Sequence, residues 1–253
     1  MRNSVLAAAL LVLFLGCGSA WAADPAAAAY NWTGFYAGLN TGFAKDAGGY
    51  SATSSPSGVY DTGDFTDLAF IFGGQAGYNF QCCCCPNIVY GIEADINYDG
   101  MGDSVTGSGF GLFAAGPATP PIINSYTVTQ EIDFFGTLRG RLGYTPADRL
   151  LLYITGGLAY GEVSSSTSYS ERFRSTGVPA FSGFAFSGSS SDMLVGWCAG
   201  AGGEYAINNC WSVKLEYLYV DLGSMSYPIA GTPLTTNIST AQNVFRVGLN
   251  YKF

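Results

Sequence analysis

The sequence predicts an all-β fold: an eight-stranded antiparallel, up-and-down transmembrane β-barrel with short periplasmic turns and four long external loops. Three observations lead to this prediction. Eight segments alternate apolar and polar residues with the period of two that is typical of strands rather than helices. The connections between these segments are long and short in turn. The charged residues, only 11% of the chain, lie on one face of the segments and leave the other face uncharged.

The eight segments are rich in aromatic, β-branched and glycine residues. They lie near residues 33–44, 67–81, 87–99, 127–144, 150–163, 192–207, 211–221 and 241–253. Connectors of about 22, 27, 28 and 19 residues alternate with connectors of about five, five and three residues. Long loops therefore fall at one end of the strands and short turns at the other, as in outer-membrane barrels, which places both termini on the periplasmic side.

The first, third and seventh segments show the alternation most clearly. Their uncharged faces are formed by Phe35, Ala37, Leu39, Thr41 and Phe43; by Ile88, Tyr90, Ile92, Ala94, Ile96 and Tyr98; and by Trp211, Val213, Leu215, Tyr217 and Tyr219. The charged residues of the eight segments lie on the opposite faces; they include Asp133 in the fourth segment and Lys252 in the eighth. In a membrane barrel the uncharged face meets lipid and the charged face lines the lumen. An exported soluble β-sandwich is the alternative, but its water-facing side should carry many long Lys and Glu side chains.

The chain begins with a segment typical of an export signal. A basic residue precedes the apolar run 5–15, and small residues lead up to Ala22. We therefore expect a signal peptide (residues 1–22) cleaved after Ala22, followed by one barrel domain (residues 23–253). A lipoprotein modified at Cys17 is the alternative, but the preceding residues "FLG" fit that processing poorly.

The last segment, "NVFRVGLNYKF", alternates up to its final residue, Phe253. An open strand edge would expose unpaired backbone N–H and C=O groups to hydrocarbon. We therefore expect the last strand to pair with the first and to close the barrel.

The pairing of neighbouring strands is expected to bring opposite charges together inside the barrel. The short turn between the sixth and seventh segments places Glu204 opposite Lys214. When the ends of the third and fourth segments are aligned, Glu93 faces Arg139 and Asp95 lies one diagonal step away. Because an unpaired charge is costly in a narrow lumen of low dielectric constant, we predict an inward ion-pair network that excludes a continuous water path. Its members are Glu93, Asp95, Arg139, Arg141, Glu204, Lys214, Glu216 and Arg246.

The composition argues against several classes of function. The chain contains no His, which removes the commonest general base and every His-dependent triad, so we expect no enzyme activity, no catalytic residue and no cofactor. With 18 Asp and Glu residues against 10 Lys and Arg, the chain lacks the basic surface that nucleic-acid binding needs.

Four adjacent cysteines, Cys82 to Cys85, lie in the short turn between the second and third segments. Their spacing matches no zinc signature, so no metal site is expected. In an oxidising compartment, disulfides or mixed thiol adducts at this turn are favoured over a soft-metal or redox role. A bridge to Cys210 is not expected, because the two turns lie on opposite sides of the barrel.

Several stretches resemble the outer-membrane immunogenic protein family of Gram-negative bacteria, whose members are often labelled porin-family or opacity-like surface antigens. These stretches are "WTGFYAGLNTGF" (32–43), "GGQAGYNFQ" (73–81), "FGTLRGRLGY" (135–144), "YITGGLAYG" (153–161), "GAGGEYAINNCWSVKLEYLYVDLG" (200–223) and the terminal "FRVGLNYKF". The resemblance implies an eight-stranded barrel in the cell outer membrane with immunogenic loops. It also implies that the terminal aromatics Tyr251 and Phe253 are an assembly signal, so that the partners include outer-membrane lipid and the barrel assembly machinery. The turn with four cysteines departs from the family, whose corresponding turn is usually polar.

These observations lead to two functional hypotheses. The first is a structural and surface-exposed outer-membrane barrel, with a lumen filled by side chains, that serves envelope integrity and whose loops contact host or envelope surface components. The alternative is a narrow porin-like channel for small solutes or ions. The first is favoured because eight strands enclose little more than their own side chains.

Overall fold

The computed structural model describes residues 30–54, 58–110, 122–173, 185–232 and 234–253. They form ten strands: β1 (Gly34–Asp46), β2 (Gly49–Ser54), β3 (Gly58–Asp64), β4 (Leu68–Gln81), β5 (Ile88–Phe110), β6 (Ile122–Ala147), β7 (Leu150–Phe173), β8 (Ala185–Ala206), β9 (Trp211–Pro228) and β10 (Leu234–Lys252). Among the described residues, no helix is long and apolar enough to cross a membrane. The expected cleavage site at Ala22 and the thiol of Cys17 lie outside the described residues.

Eight of the strands form a closed antiparallel ring, and the predicted fold class is confirmed. The ring runs β1–β4–β5–β6–β7–β8–β9–β10, and β1 pairs back with β10. The closing pair extends from Tyr36 opposite Lys252 to Asp46 opposite Gln242. The last strand therefore pairs with the first, as the alternation up to the C-terminus predicted.

The ring strands extend further on the external side than the sequence indicated. On this side β5 ends only at Phe110 and β6 already begins at Ile122. Likewise, β7 ends only at Phe173 and β8 already begins at Ala185. Residues 229–233 alone connect β9 to β10, where about 19 residues of loop were expected. On the opposite side, short turns occupy residues 82–87, 148–149 and 207–210. Much of the sequence that resembled polar loop is therefore barrel wall.

The hairpin β2–β3 lies within the first long connection and was not predicted. Its strand β2 pairs with the outer half of β10, from Ser54 opposite Leu234 to Gly49 opposite Ser239. It takes the place of β1, which leaves β10 after Asp46. The hairpin thus continues the wall above the end of β1.

The outer surface carries the expected apolar belt. The exposed fractions of Leu39, Ile92 and Leu215 are 52%, 60% and 64%, which is the arrangement of side chains that meet lipid. Pairs of aromatic rings border the belt at both ends. Their centroid distances are 5.1 Å for Trp211–Tyr251 and 5.6 Å for Phe35–Phe253 at the periplasmic end, and 5.3 Å for Phe72–Tyr98 and 5.5 Å for Trp197–Tyr219 at the outer end.

The prediction that Asp133 points inward is wrong. The pairing of β6 with β7 shifts between Ile132 and Phe134, and the side chain of Asp133 is exposed. An extra residue in one strand reverses the inward–outward alternation locally. A bulge of this kind leaves no signal in the hydrophobic pattern.

The interior is stacked in three layers. The periplasmic layer is an apolar cluster of Tyr30, Trp32, Val89, Leu151, Tyr153 and Ala206. The charged layer above it holds most of the buried acidic and basic residues. The outer layer is a larger apolar cluster that includes Tyr50, Phe65, Ile71, Met101, Tyr126, Ile132, Tyr169, Leu222 and Tyr227. The hairpin β2–β3 and the segment after it contribute to this outer layer, so they close the interior from the external side.

Candidate functional site

The charged layer forms where inward positions of the strands β5, β6, β8, β9 and β10 meet at one level of the lumen. Glu93 on β5 lies opposite Arg139 on β6, and Glu204 on β8 lies opposite Lys214 on β9. Both register assignments made from the sequence are therefore observed. The structure brings all eight residues of the predicted network into the lumen, and each is buried: Glu93, Asp95, Arg139, Arg141, Glu204, Lys214, Glu216 and Arg246.

Glu93 is the centre of the network. Its carboxylate accepts hydrogen bonds from Lys214 Nζ at 2.8 and 3.0 Å and from Tyr36 Oη at 2.7 Å. Arg139 Nη2 donates a further short bond to Oε1, and Arg141 Nη1 lies 3.4 Å from Oε2. One carboxylate thus accepts hydrogen bonds from three cations and a phenol, and Arg246 Nη2 lies 3.9 Å from its Oε1.

Asp95 and Glu216 are joined by two arginines that each contact both of them. Arg246 Nη2 lies 3.0 Å from Asp95 and 2.6 Å from Glu216, and its Nε donates to Glu216 at 2.7 Å. Arg139 lies 2.8 Å from Asp95 and 3.1 Å from Glu216. Thr137 Oγ1 donates to Asp95 at 2.6 Å. The planar guanidinium groups therefore act as bridges between carboxylates from different strands.

Glu204 does not pair with Lys214, although the two residues lie opposite each other. Its carboxylate accepts from Arg141 Nη2 at 2.7 Å, from Ser212 Oγ at 2.6 Å and from Asn250 Nδ2 at 2.9 Å. Lys214 instead crosses the lumen to Glu93. The expected pair is thus corrected: both residues are in the network, with different partners.

A glycine makes room for the path of Lys214. A Cβ atom on Gly248 would lie 3.0 Å from both Cγ and Cε of Lys214 and 2.8 Å from Gln75 Nε2. These distances are closer than ordinary van der Waals contact, so only glycine at this position leaves the lysine stem undisturbed.

The network is balanced in charge, since four acidic residues contact four basic residues. Burial of a charge costs several kcal/mol unless pairing and hydrogen bonds offset the cost. The balance, rather than any single pair, is therefore what lets these eight side chains occupy the barrel interior.

Uncharged side chains also donate hydrogen bonds to the network and were not predicted; they include Tyr36, Asn97, Thr137, Tyr153, Ser212 and Asn250. Tyr153 Oη donates to Glu216 at 2.9 Å, and the Arg141 guanidinium carbon lies 4.0 Å from the centroid of its ring. A cation held over a ring face is stabilised by the ring quadrupole. The strand period of two places these residues inward, but nothing in the sequence indicates that they reach the ion pairs.

The segment before β1 covers the charged layer from the periplasmic side. Trp32 is 2% exposed, and its backbone N–H donates to Gln81 Oε1 at 2.9 Å. The ring of Tyr30 packs 4.7 Å from that of Trp32, and burial raises the pKa of Tyr30 to about 12, so the phenol stays neutral. Lys252 lies opposite the lumen-facing Tyr36, on the inward face as predicted. It is half-buried at this periplasmic opening, with Nζ 4.8 Å from the Tyr30 ring centroid and bonded to the carbonyl of Asn31.

The cysteines form no disulfide among the described residues. Cys83 to Cys85 are exposed in the turn between β4 and β5, Cys82 and Cys210 are partly buried, and Cys198 is buried in the lumen. In the described part of the chain, no group of three or more Cys, Asp or Glu side chains has the arrangement of a metal site.

A closed ring of strands with a lipid-facing apolar belt and a polar interior defines a transmembrane β-barrel of the outer-membrane class. The family described as "Outer membrane protein beta-barrel domain" matches residues 8–253. The chain belongs to this family, and it is a protein of the outer membrane.

Relatives of known class agree with this assignment. A 31 kDa outer-membrane immunogenic protein of Brucella melitensis is 37% identical over 267 residues, which cover 99% of this chain and 100% of that protein. A 22 kDa outer membrane protein of Rhizobium leguminosarum bv. viciae is 29% identical over 233 residues, covering 90% of this chain and 82% of that protein. The crystal structure of OprG from Pseudomonas aeruginosa matches with a TM-score of 0.51 and 16% identity, covering 88% of this chain and 98% of that chain, and shows the same fold. The resemblance to outer-membrane immunogenic proteins is confirmed.

Proposed function

We propose that this protein is a closed structural barrel that presents a surface-exposed β-sheet extension outside the outer membrane. One observation carries the proposal: the side chains of Glu93, Arg139, Lys214 and Arg246 have 0% accessible surface in the middle of the lumen. In a water-filled pore, the charged side chains that line the pore would be accessible to solvent. The narrow porin-like channel is the competing function, and this burial argues against it.

The outer layer supports the same conclusion. Above the charged layer, Phe65, Tyr126 and Leu222 are each only 1% exposed. Tyr126 Oη lies 2.7 Å from Thr236 Oγ1. The interior is thus packed on both sides of the ion pairs. We infer that the barrel contributes rigidity and a platform rather than a path for solutes.

An enzyme activity is not proposed. The acidic residues of the charged layer are already bonded to cations or hydroxyl groups, as Glu93 and Asp95 show. A general acid or base needs a proton that can be exchanged with substrate. The absence of His from the chain removes the usual alternative.

We also infer how the chain matures and assembles. Cleavage after Ala22 would leave residues 23–253 as the barrel. At the other end, the N–H of Phe253 donates to the carbonyl of Phe35 at 3.0 Å, and the rings of Tyr251 and Phe253 pack 5.1 Å apart. The two aromatics thus lie at the seam between the last strand and the first, where the barrel assembly machinery would have to act before closure.

The surface role is tested by labelling and binding. A short epitope inserted after Ala230, between β9 and β10, should be labelled by antibody on intact cells. The same epitope inserted after Asn208, between β8 and β9, should be labelled only after permeabilisation. The purified refolded barrel should then bind immobilised host-matrix or envelope components, and replacement of the connections 111–121 and 174–184 by short Gly/Ser turns should abolish binding. Labelling at Asn208 on intact cells, or binding that survives both replacements, would reject the proposal.

A further inference from the structure

The outward surface of β5 to β8, beyond the apolar belt, is covered by hydroxyl side chains in rows that cross the strands. One row consists of Ser104, Thr129, Ser166 and Ser189, and the next consists of Thr106, Thr127, Ser168 and Ser187. Ser164 and Ser191 face each other one step nearer the membrane. We call these ten residues the hydroxyl face.

The pleat of the strands separates the hydroxyl face from the interior. Ser166 and Ser168 are exposed, whereas Ser165 and Thr167, which alternate with them, are buried. The two buried hydroxyls lie 2.8 and 2.7 Å from Tyr227 Oη. The hydroxyls of the face therefore are not needed to satisfy the core.

The face retains unused hydrogen-bonding capacity. The Oγ1 atoms of Thr106 and Thr127 lie 3.0 Å apart, and Ser164 Oγ donates to Ser191 Oγ at 3.0 Å. Because a hydroxyl has one donor and two acceptor sites, one bond across the strands leaves further sites open. Shallow grooves of about 350 and 360 Å³ run along these rows. A ligand with many hydroxyls could lie along such a surface.

The charge of the surface selects the kind of ligand. The two rows of four hydroxyls contain no ionised side chain. Glu131 lies in the same row as Ser164 and Ser191, on the side of the apolar belt, and it lines one of the grooves, so the charge next to the face is negative. No basic residue belongs to the face, so phosphate is not matched by a cation here. An uncharged polyol such as a sugar is the complementary chemistry.

The position of the face selects the source of that sugar. On β8 the lipid-facing residues Trp197, Val195 and Met193 are followed directly by Ser191 and Ser189 on the same side of the strand. The face is thus continuous with the lipid-facing belt, and on β8 it begins after the two exposed apolar residues Val195 and Met193 that follow Trp197 of the outer aromatic girdle. The layer that meets a barrel at this level is the headgroup layer of the surrounding glycolipid.

We propose that the hydroxyl face docks the neutral saccharide headgroup of the outer-leaflet glycolipid that surrounds the barrel. Each hydrogen bond is weak, but the glycolipid is held beside the barrel at high local concentration, so several weak bonds are enough to retain it.

A row of substitutions tests this proposal against a matched control. The test variant is Thr129→Val, Ser166→Ala and Ser189→Ala, which removes three hydroxyls from one row. The control variant is Ser51→Ala, Thr53→Val and Ser224→Ala, which makes the same changes on the outward side of β2 and β9, away from the face. Both are refolded into nanodiscs that contain two lipids in equal amounts. One is a lipopolysaccharide with its core sugars, and the other is the lipid anchor of that lipopolysaccharide without sugars. Only barrels that show the heat-modifiable shift of folded protein on gels are compared.

The readout is the ratio of the two lipids that remain bound after mild detergent release, measured by native mass spectrometry. The unmodified barrel and the control should retain the sugar-bearing lipid in preference to the anchor. In the test variant, the ratio of sugar-bearing lipid to anchor should be about tenfold lower than in the unmodified barrel, as expected when three hydrogen bonds are removed. No preference in the unmodified barrel, or equal losses in both variants, would overturn the proposal.

Discussion

Replacing Glu93 with Ala should destabilise the barrel strongly, and adding Arg139→Ala to that variant should cost less than Arg139→Ala costs in the unmodified barrel. Glu93 contacts Lys214 at 2.8 Å and Arg141 at 3.4 Å as well as Arg139. Without it, four cations would face three anions inside the lumen. Removal of one partner from a buried pair typically costs about 3 to 5 kcal/mol. The double variant restores neutrality, so its loss should be about 1 to 3 kcal/mol smaller than the sum of the single losses.

The assay is urea unfolding of the refolded barrel in lipid vesicles, followed by tryptophan fluorescence. Asp133→Ala is the matched control, because its carboxylate is exposed on the outside of the wall. This change alone should alter the free energy of unfolding by no more than about 0.5 kcal/mol, and its effect should add to that of Glu93→Ala. Additive losses for Glu93 and Arg139 would show that the two residues do not interact in the lumen.

Three further predictions follow from single positions. Gly248→Ala should lower the free energy of unfolding in urea by about 1 to 3 kcal/mol, because a Cβ atom crowds Lys214. The control is the lipid-facing Gly74→Ala, which should cost much less, since no atom lies nearer than 3.9 Å to its Cβ. Equal losses in the two variants would contradict this prediction. Deletion of Phe253 should reduce the yield of heat-modifiable barrel far more than deletion of Ala230 in the β9–β10 connection, and equal yields would show that the terminal aromatic is not an assembly signal. N-terminal sequencing of the protein from an outer-membrane fraction should begin at Ala23, and a sequence beginning at Met1 would contradict export by cleavage.

The membrane-spanning part of the fold was predictable because its physics is periodic. Lipid on one side and a narrow lumen on the other force a strict alternation, and the apolar residues of the first segment, from Phe35 to Phe43, follow it. The same alternation assigned Glu93 and Arg139 to the lumen, and alignment of the ends of the third and fourth segments placed them opposite each other. What the register could not provide was the direction of a long side chain, since Lys214 passes its neighbour Glu204 and reaches across the lumen.

Outside the membrane this constraint is absent, and the prediction was correspondingly poorer. The hairpin β2–β3 and the outer half of β8, including Ser187–Ser191, were assigned to loops because they are rich in Ser and Gly. These residues still form strands, since their inward neighbours such as Tyr50 and Ala52 pack into the outer layer. Strands whose outer side meets water or headgroups can carry small polar residues, and their sequence then resembles a turn.

The closure of the lumen is tested most directly by the ion conductance of the purified, refolded barrel in a planar bilayer. The buried ion pairs, with apolar layers on both sides, predict a membrane current that stays at the level of the protein-free bilayer across the range of applied voltages. Large, steady conductance steps from the pure protein would show a continuous water path and would mean that the lumen is open.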